Sequence, residues 1–257
     1  MGRQKKPVIT GVWRKTKDCE LIFSLYLRKV PDMKLKLWHI PAAFFAVAAV
    51  LNFAGQTADS IQILASLTKP ALMPLLAATT LAAARDRESK TLKLLIAAQL
   101  CGCAGDILLI PGDFLPFIGG LVMFLVGHIF YISIMGGLSW KGLGVAKWVV
   151  ALLVMAALVA VLAMSIGVSG VMLAPMAIYG MVLMLLIFSA LAGFLKYRTG
   201  VWGMLLCAAV LFTFSDILVA SRSFDAIPFE GKGLVIMVTY LAAQSMLAAG
   251  ILALQRK

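Results

Sequence analysis

The sequence predicts an all-α membrane protein, an eight-helix transmembrane bundle, on three observations. Apolar residues make up 62% of the chain and charged residues 13%, with a mean hydropathy of +1.01, which leaves too little polar surface for a soluble globule. The apolar residues fall in runs long enough to cross ~30 Å of hydrocarbon as helices. These runs lack strand-like alternation, so a helical bundle is favoured over a barrel.

The first span covers about His39 to Asn52 with its flanks and carries the weakest signal, with Pro41 near its start and Asn52 near its end. The second runs from Ile61 to Ala84 and is followed by Arg85, Arg87, Lys90 and Lys93. The third, Leu92 to Ile110, and the fourth, Phe114 to Gly136, are joined without a basic residue, and Lys141 and Lys147 follow the fourth. The fifth, Val145 to Gly167, leads to the sixth, Val171 to Leu195, after which come Lys196 and Arg198. The seventh is Val201 to Ser221 and the eighth Leu234 to Leu254, with Arg256 and Lys257 at the chain end.

Every second connection is therefore basic. Those after spans one, three and five hold no Lys or Arg, and the one after span seven offsets Arg222 and Lys232 with Asp225 and Glu230. By the positive-inside rule both termini are expected in the cytoplasm. The membrane would be the endoplasmic reticulum in a eukaryote or the inner membrane in a bacterium. This distribution also explains the net charge of +12 without nucleic acid, since the basic residues flank spans and lack interleaved aromatics.

Residues 1–37 read as a basic cytoplasmic segment and 38–257 as the eight-span transmembrane domain. The first 37 hold ten basic residues and no cleavage site after a short apolar core, so a signal anchor fits better than a cleaved peptide. Met33 would also serve as a start for a compact membrane protein. No disulfide is expected, because Cys101, Cys103 and Cys207 lie within spans and Cys19 in the cytoplasmic segment. Cys101 and Cys103 point to different helix faces, which argues against a metal site there. With His39 and His128 as the only histidines, a three-histidine zinc site is excluded, and neither metal nor cofactor is expected.

Function is expected where charge enters the apolar runs. Asp106 in span three and Asp216 in span seven each cost roughly 2.5 to 3.5 kcal/mol on insertion scales, so a chain keeps them for chemistry, transport or binding. Lys69 in span two is a third such group. At ~1.5 Å per residue, both aspartates lie roughly 8 Å below the non-cytoplasmic face, Tyr240 about 10 Å and Lys69 about 12 Å. One polar pocket in the outer leaflet would collect them. Gln244 sits one turn deeper than Tyr240 on the same face, and Gln99, Cys103 and Asp106 share a stripe. His128 and Tyr131 fall beyond the midplane, as pocket floor or outer support. Asp106-Ile107-Leu108 recurs as Asp216-Ile217-Leu218 four spans later, which raises two parallel four-helix repeats with the aspartates facing each other.

These residues carry a resemblance. Lys69-Pro70 with Met73-Pro74, Gly105-Asp106 with Leu108-Leu109, Phe124 with His128 and Tyr131, Ser215-Asp216, and Tyr240 with Gln244 resemble, in order, the lysoplasmalogenase family, also called YhhN-like. The resemblance implies hydrolysis of the vinyl-ether bond of lysoplasmalogens to a fatty aldehyde and a glycerophospho-head group, with Asp106 and Asp216 catalytic. It covers spans two to eight, and the basic N-terminal segment departs from it.

The chemistry matches that residue set. A vinyl ether is hydrolysed by protonation of its β carbon, water capture of the oxocarbenium ion and collapse of the hemiacetal, which asks for a neutral acid and a carboxylate, as in glycosidases. Two neighbouring carboxyls in low dielectric tend to share one proton. Lys69 would hold the ionised partner or reach the substrate phosphate, while Ser215, Tyr240 and Gln244 would orient water or the glycerol hydroxyl. The pocket is expected to open to the non-cytoplasmic leaflet, with an apolar tail tunnel lined by Met73, Phe124 and Leu247.

Other readings stay open at this point. Asp106 and Lys69 could be a buried ion pair that sets helix register, or Lys69 could snorkel outward. His128 could be an interhelical hydrogen-bonder, and Tyr240 and Gln244 packing glue. A proton-coupled transporter would use the same Asp and Lys groups together with proline-broken helices. A sensor or scaffold without turnover is a third class.

Overall fold

A computed structural model describes residues 37–57, 59–223 and 229–255. The basic N-terminal segment, the alternative start at Met33, Cys19, Asp225, Arg256 and Lys257 lie outside the described residues. Among the described residues the secondary structure is helical throughout, with no strand. The eight α-helices are α1 (His39–Gly55), α2 (Gln62–Ala83), α3 (Lys90–Leu108), α4 (Phe114–Ser139), α5 (Val145–Ile166), α6 (Leu173–Tyr197), α7 (Gly200–Ser223) and α8 (Lys232–Leu254).

Seven of them, α2 to α8, are long and apolar enough to cross a membrane. The 17 residues of α1 make it the shorter eighth, about 25 Å at 1.5 Å per residue. Its weak sequence signal has a local cause in Asn52. That side chain is fully buried, and its Nδ2 donates to the Ala65 carbonyl at 2.8 Å and to Thr68 Oγ1 at 3.1 Å on α2. The polar residue thus clamps α1 to α2 instead of ending a span in water.

Helices joined by short connections pack as hairpins: α1 on α2, α3 on α4, α7 on α8. α2 also packs on α3, α4 on α6, and α6 on α7, while α8 reaches back to α1, α2 and α3 and closes a ring. α5 leans chiefly on α6 and stays peripheral, with exposed apolar residues along much of its length, as a lipid-facing helix requires. At the end where α1 begins, Gln255 Nε2 donates to Ser89 Oγ at 2.7 Å, and Ser89 caps α3 by accepting from the Leu92 amide at 3.2 Å. α8 is thereby pinned to α3, the two helices that carry Tyr240 and Asp106.

Two prolines in α2 do not break it. Pro74 has no N–H to offer the Pro70 carbonyl, and Cys103 Sγ on α3 donates to that oxygen at 3.4 Å. The stripe shared by Gln99, Cys103 and Asp106 therefore includes a residue that joins α3 to α2 one turn from the aspartate.

Candidate active site

The ends of α1, α3, α5 and α7 and the starts of α2, α4, α6 and α8 meet at one end of the bundle, called distal here. In the distal half a cavity forms, walled by Lys69 of α2, Asp106 of α3, Phe117, Leu121 and Phe124 of α4, Met176 and Tyr179 of α6, Ser215, Asp216 and Val219 of α7, and Ile236, Met237 and Tyr240 of α8. It holds about 560 Å³ of space free of protein atoms, mouth included. Lys69, Leu109, Phe117, Val219, Ile236 and Met237 also line a larger vestibule of about 1660 Å³ that reaches Gln56 and Gly112 in the distal connections and Gln62 and Gly233 at the starts of α2 and α8. The cavity therefore adjoins the vestibule at the distal end.

Two carboxyl groups face this cavity, each held by a tyrosine. Tyr240 donates its hydroxyl to Asp106 Oδ2 at 2.9 Å, and Lys69 Nζ stands 3.6 Å from Asp106 Oδ1. Tyr179 donates to Asp216 Oδ2 at 2.5 Å, and His128 Nε2 lies 3.6 Å from the same oxygen. The Asp106 side chain is 4% exposed and that of Asp216 9%, so both are largely withdrawn from bulk solvent, whereas Lys69 keeps 20% exposure. Lys69 thus pairs with Asp106 and also reaches the vestibule, combining the ion-pair and snorkelling geometries.

Small residues make the first arm possible. A β carbon on Gly102 would sit 3.0 Å from the Tyr240 hydroxyl and 3.3 Å from Gln244 Nε2, so glycine leaves α8 room to bring its phenol over α3 without displacement. A β carbon on Gly105 would come within 2.7 Å of the Phe124 ring, which closes the cavity wall beside Asp106.

Behind the Asp106 arm the polar groups form one chain. Gln244 Nε2 approaches the Tyr240 hydroxyl at 3.5 Å, and Tyr131 donates to Gln244 Oε1 at 2.5 Å. Rings fill the space between the arms: Phe212 is edge-on to His128 at 4.5 Å and to Tyr240 at 5.5 Å, and Phe124 is edge-on to Tyr240 at 5.9 Å. Each side chain on this seam has its rotamer limited by a neighbour, which holds the two carboxyl groups in place.

The structure thus brings Lys69, Asp106, Ser215, Asp216, Phe124 and Tyr240 to one cavity wall, with His128, Gln244 and Tyr131 behind it. Ser215 donates to the Ile236 carbonyl at 3.2 Å and so ties α7 to α8 beside the aspartate. Three residues lie elsewhere. Gln99, about two turns deeper on α3, donates to Thr80 Oγ1 at 3.0 Å, away from the cavity. Met73 and Leu247 are fully buried in the core. The apolar wall belongs instead to Leu109, Phe117, Leu121, Met176, Val219, Ile236 and Met237. Met73 and Leu247 share a stripe with polar site residues, but they lie one to two turns further from the distal end, where neighbouring helices close on them.

Tyr179 is the residue that sequence reasoning missed. It had a signal, since Asp216 follows Asp106 by 110 residues and Tyr179 follows Lys69 by the same 110. Among the described residues no three His, Cys, Asp or Glu side chains cluster as metal ligands would.

A model of the YhhN family matches residues 64–251, from α2 to α8, and thus every residue of this site. The chain belongs to the YhhN family. That family includes lysoplasmalogenases, and the resemblance read from the residues holds at family level. No curated protein and no solved structure matches the chain.

Proposed function

We propose that the protein is a lysoplasmalogenase, a hydrolase that cleaves the vinyl-ether bond of lysoplasmalogens with its paired intramembrane aspartates. The observation that carries this reading is the pair of carboxyl groups from α3 and α7 on one wall of a cavity whose remaining lining is mostly apolar. Membership of a family that includes lysoplasmalogenases supports it. Vinyl-ether cleavage needs an acid, a carboxylate, one water and room for a chain, and no acyl nucleophile.

The substrate geometry also fits. A lysolipid has its head group in water and its chain in hydrocarbon, with the vinyl ether between them. Lys69, which touches both vestibule and cavity, would meet the phosphate, and the apolar wall around Leu121 and Met176 would take the start of the chain. With both termini cytoplasmic, as the basic connections imply, the distal end is non-cytoplasmic and substrate comes from that leaflet.

Two parallel four-helix repeats would account for the paired aspartates. The neighbour relations α1–α2, α2–α3 and α3–α4 recur as α5–α6, α6–α7 and α7–α8. At the 110-residue register Leu75-Leu76 and Leu81-Ala82 of α2 also return as Leu185-Leu186 and Leu191-Ala192 of α6. The transporter reading draws no support from α2, which runs unbroken through Pro70 and Pro74, whereas carriers build their sites from discontinuous helices.

The test is product chemistry with purified protein in detergent. Fatty aldehyde is expected from an alkenyl lysolipid and not from the saturated alkyl ether, which cannot be protonated at carbon. In D2O the aldehyde should carry one deuterium on the carbon next to the carbonyl. Equal cleavage of an acyl ester, or no aldehyde at all, would refute the proposal. A companion expectation concerns the chain: Leu121→Trp should raise KM for long-chain substrates more than for short ones, and a uniform loss across chain lengths would remove Leu121 from the tail path.

A further inference from the structure

The two arms of the site occupy equivalent positions but do not carry equivalent charge. At the 110-residue register, the position that holds Lys69 beside Asp106 holds Tyr179 beside Asp216. One carboxyl therefore faces a cation, and its counterpart faces a neutral phenol. From this asymmetry, and resting on the vinyl-ether reading above, we infer that Asp216 is the proton donor to substrate carbon and Asp106 the ionised carboxylate, with His128 and Tyr179 as the positioning residues of the acid.

His128 supplies an independent part of the argument. Its Nδ1 lies 2.6 Å from the Phe124 carbonyl oxygen, which can only accept, so Nδ1 bears the hydrogen. In the neutral ring Nε2 is then a lone pair, and it points at Asp216 Oδ2 from 3.6 Å. A lone pair facing an ionised carboxylate in a buried site is repulsive, so one proton belongs to this pair. Its place is on Asp216. At 3.6 Å a fully buried imidazolium would lack the hydrogen bond to Oδ2 that its charge needs, whereas Lys69, at the same distance from Asp106, keeps contact with the vestibule. The site then holds one ion pair, Lys69 with Asp106, and one neutral acid.

The proton ledger of the reaction closes on this assignment. Asp216 gives its proton to the vinyl carbon remote from oxygen, which leaves the Asp216 carboxylate and an oxocarbenium centre at the carbon bonded to oxygen. Water adds to that centre while the Asp106 carboxylate takes the proton it loses, and a neutral hemiacetal results. On collapse the bond from that carbon to the glycerol oxygen breaks, the glycerol oxygen takes the proton from Asp106, and the hemiacetal hydroxyl returns its proton to Asp216. One water is consumed, and both carboxyl groups end as they began.

The test reads the proton directly, without substrate. In infrared spectra of the full chain in detergent near neutral pH, the carbonyl stretch of a protonated carboxyl group, identified by its shift in D2O, is expected in the wild type and in Asp106→Asn and absent in Asp216→Asn. Should Asp216→Asn not fold, the tyrosines decide. Tyr179→Phe removes a hydrogen bond to this carboxyl and should move the band, and Tyr240→Phe should leave it in place. A wild type without the band, a band lost with Asp106→Asn and kept with Asp216→Asn, or a band moved by Tyr240→Phe alone would overturn the inference. Aldehyde release from the same wild-type preparation separates the two levels. Turnover with the proton on Asp106 overturns this inference alone, whereas a band on Asp216 without turnover overturns the vinyl-ether reading and leaves the proton where it is placed here.

Discussion

Asp106→Asn and Asp216→Asn are each expected to lower kcat for aldehyde release by about 10²- to 10⁴-fold, the range that one positioned acid or base contributes. Asn preserves the shape of the side chain, and its carbonyl can still accept from Tyr240 or Tyr179, so the variants should remain folded in the membrane. The two aspartates act in one proton cycle, and losses of groups that act as a unit are not additive. The double variant should therefore be little worse than the more damaged single one. Aldehyde release from monodisperse protein checks this, and activity retained in either single variant would remove that residue from the catalytic role.

Lys69→Met is expected to be nearly as damaging, by a different route. Removing one partner of a buried pair costs about 3–5 kcal/mol if the other stays charged. Asp106 escapes that cost by taking up a proton, and a neutral Asp106 can neither stabilise an oxocarbenium ion nor accept a proton from water. Activity should fall by about 10²-fold or more, while thermal stability falls less than an uncompensated charge would demand. Lys69→Arg should restore much of the activity, since it restores the charge beside Asp106. Wild-type turnover in Lys69→Met would show that the cation is dispensable, and a KM effect without a kcat effect would assign Lys69 to the substrate phosphate alone.

Much of the site was legible in the chain because charge in hydrocarbon is costly enough to be informative on its own. Asp106, Asp216 and Lys69 stand out against apolar runs, and a rise of 1.5 Å per residue sets their depth to within about a turn. The three residues line one cavity in the structure. Residues identified by sharing a helix face were less secure. Tyr240 and Gln244 share one and lie together on the polar seam, but Met73 and Leu247 lie on comparable stripes and are sealed in the core. Gln99 is on the stripe of Asp106 and turns to Thr80 instead.

The sequence by itself determined the class of protein, the order of its apolar helices, and the ionisable groups they carry, because burial of apolar surface and the cost of buried charge act residue by residue. Only the tertiary structure decided which partner each aspartate receives. Lys69 meets Asp106, Tyr179 and His128 meet Asp216, and Gly102 admits Tyr240, because these pairings depend on which helices pack together and how they are rotated about their axes. In a lipid-facing bundle nearly every side of a helix is apolar, so hydropathy carries little record of that rotation. It is set by small residues, interhelical hydrogen bonds and close packing.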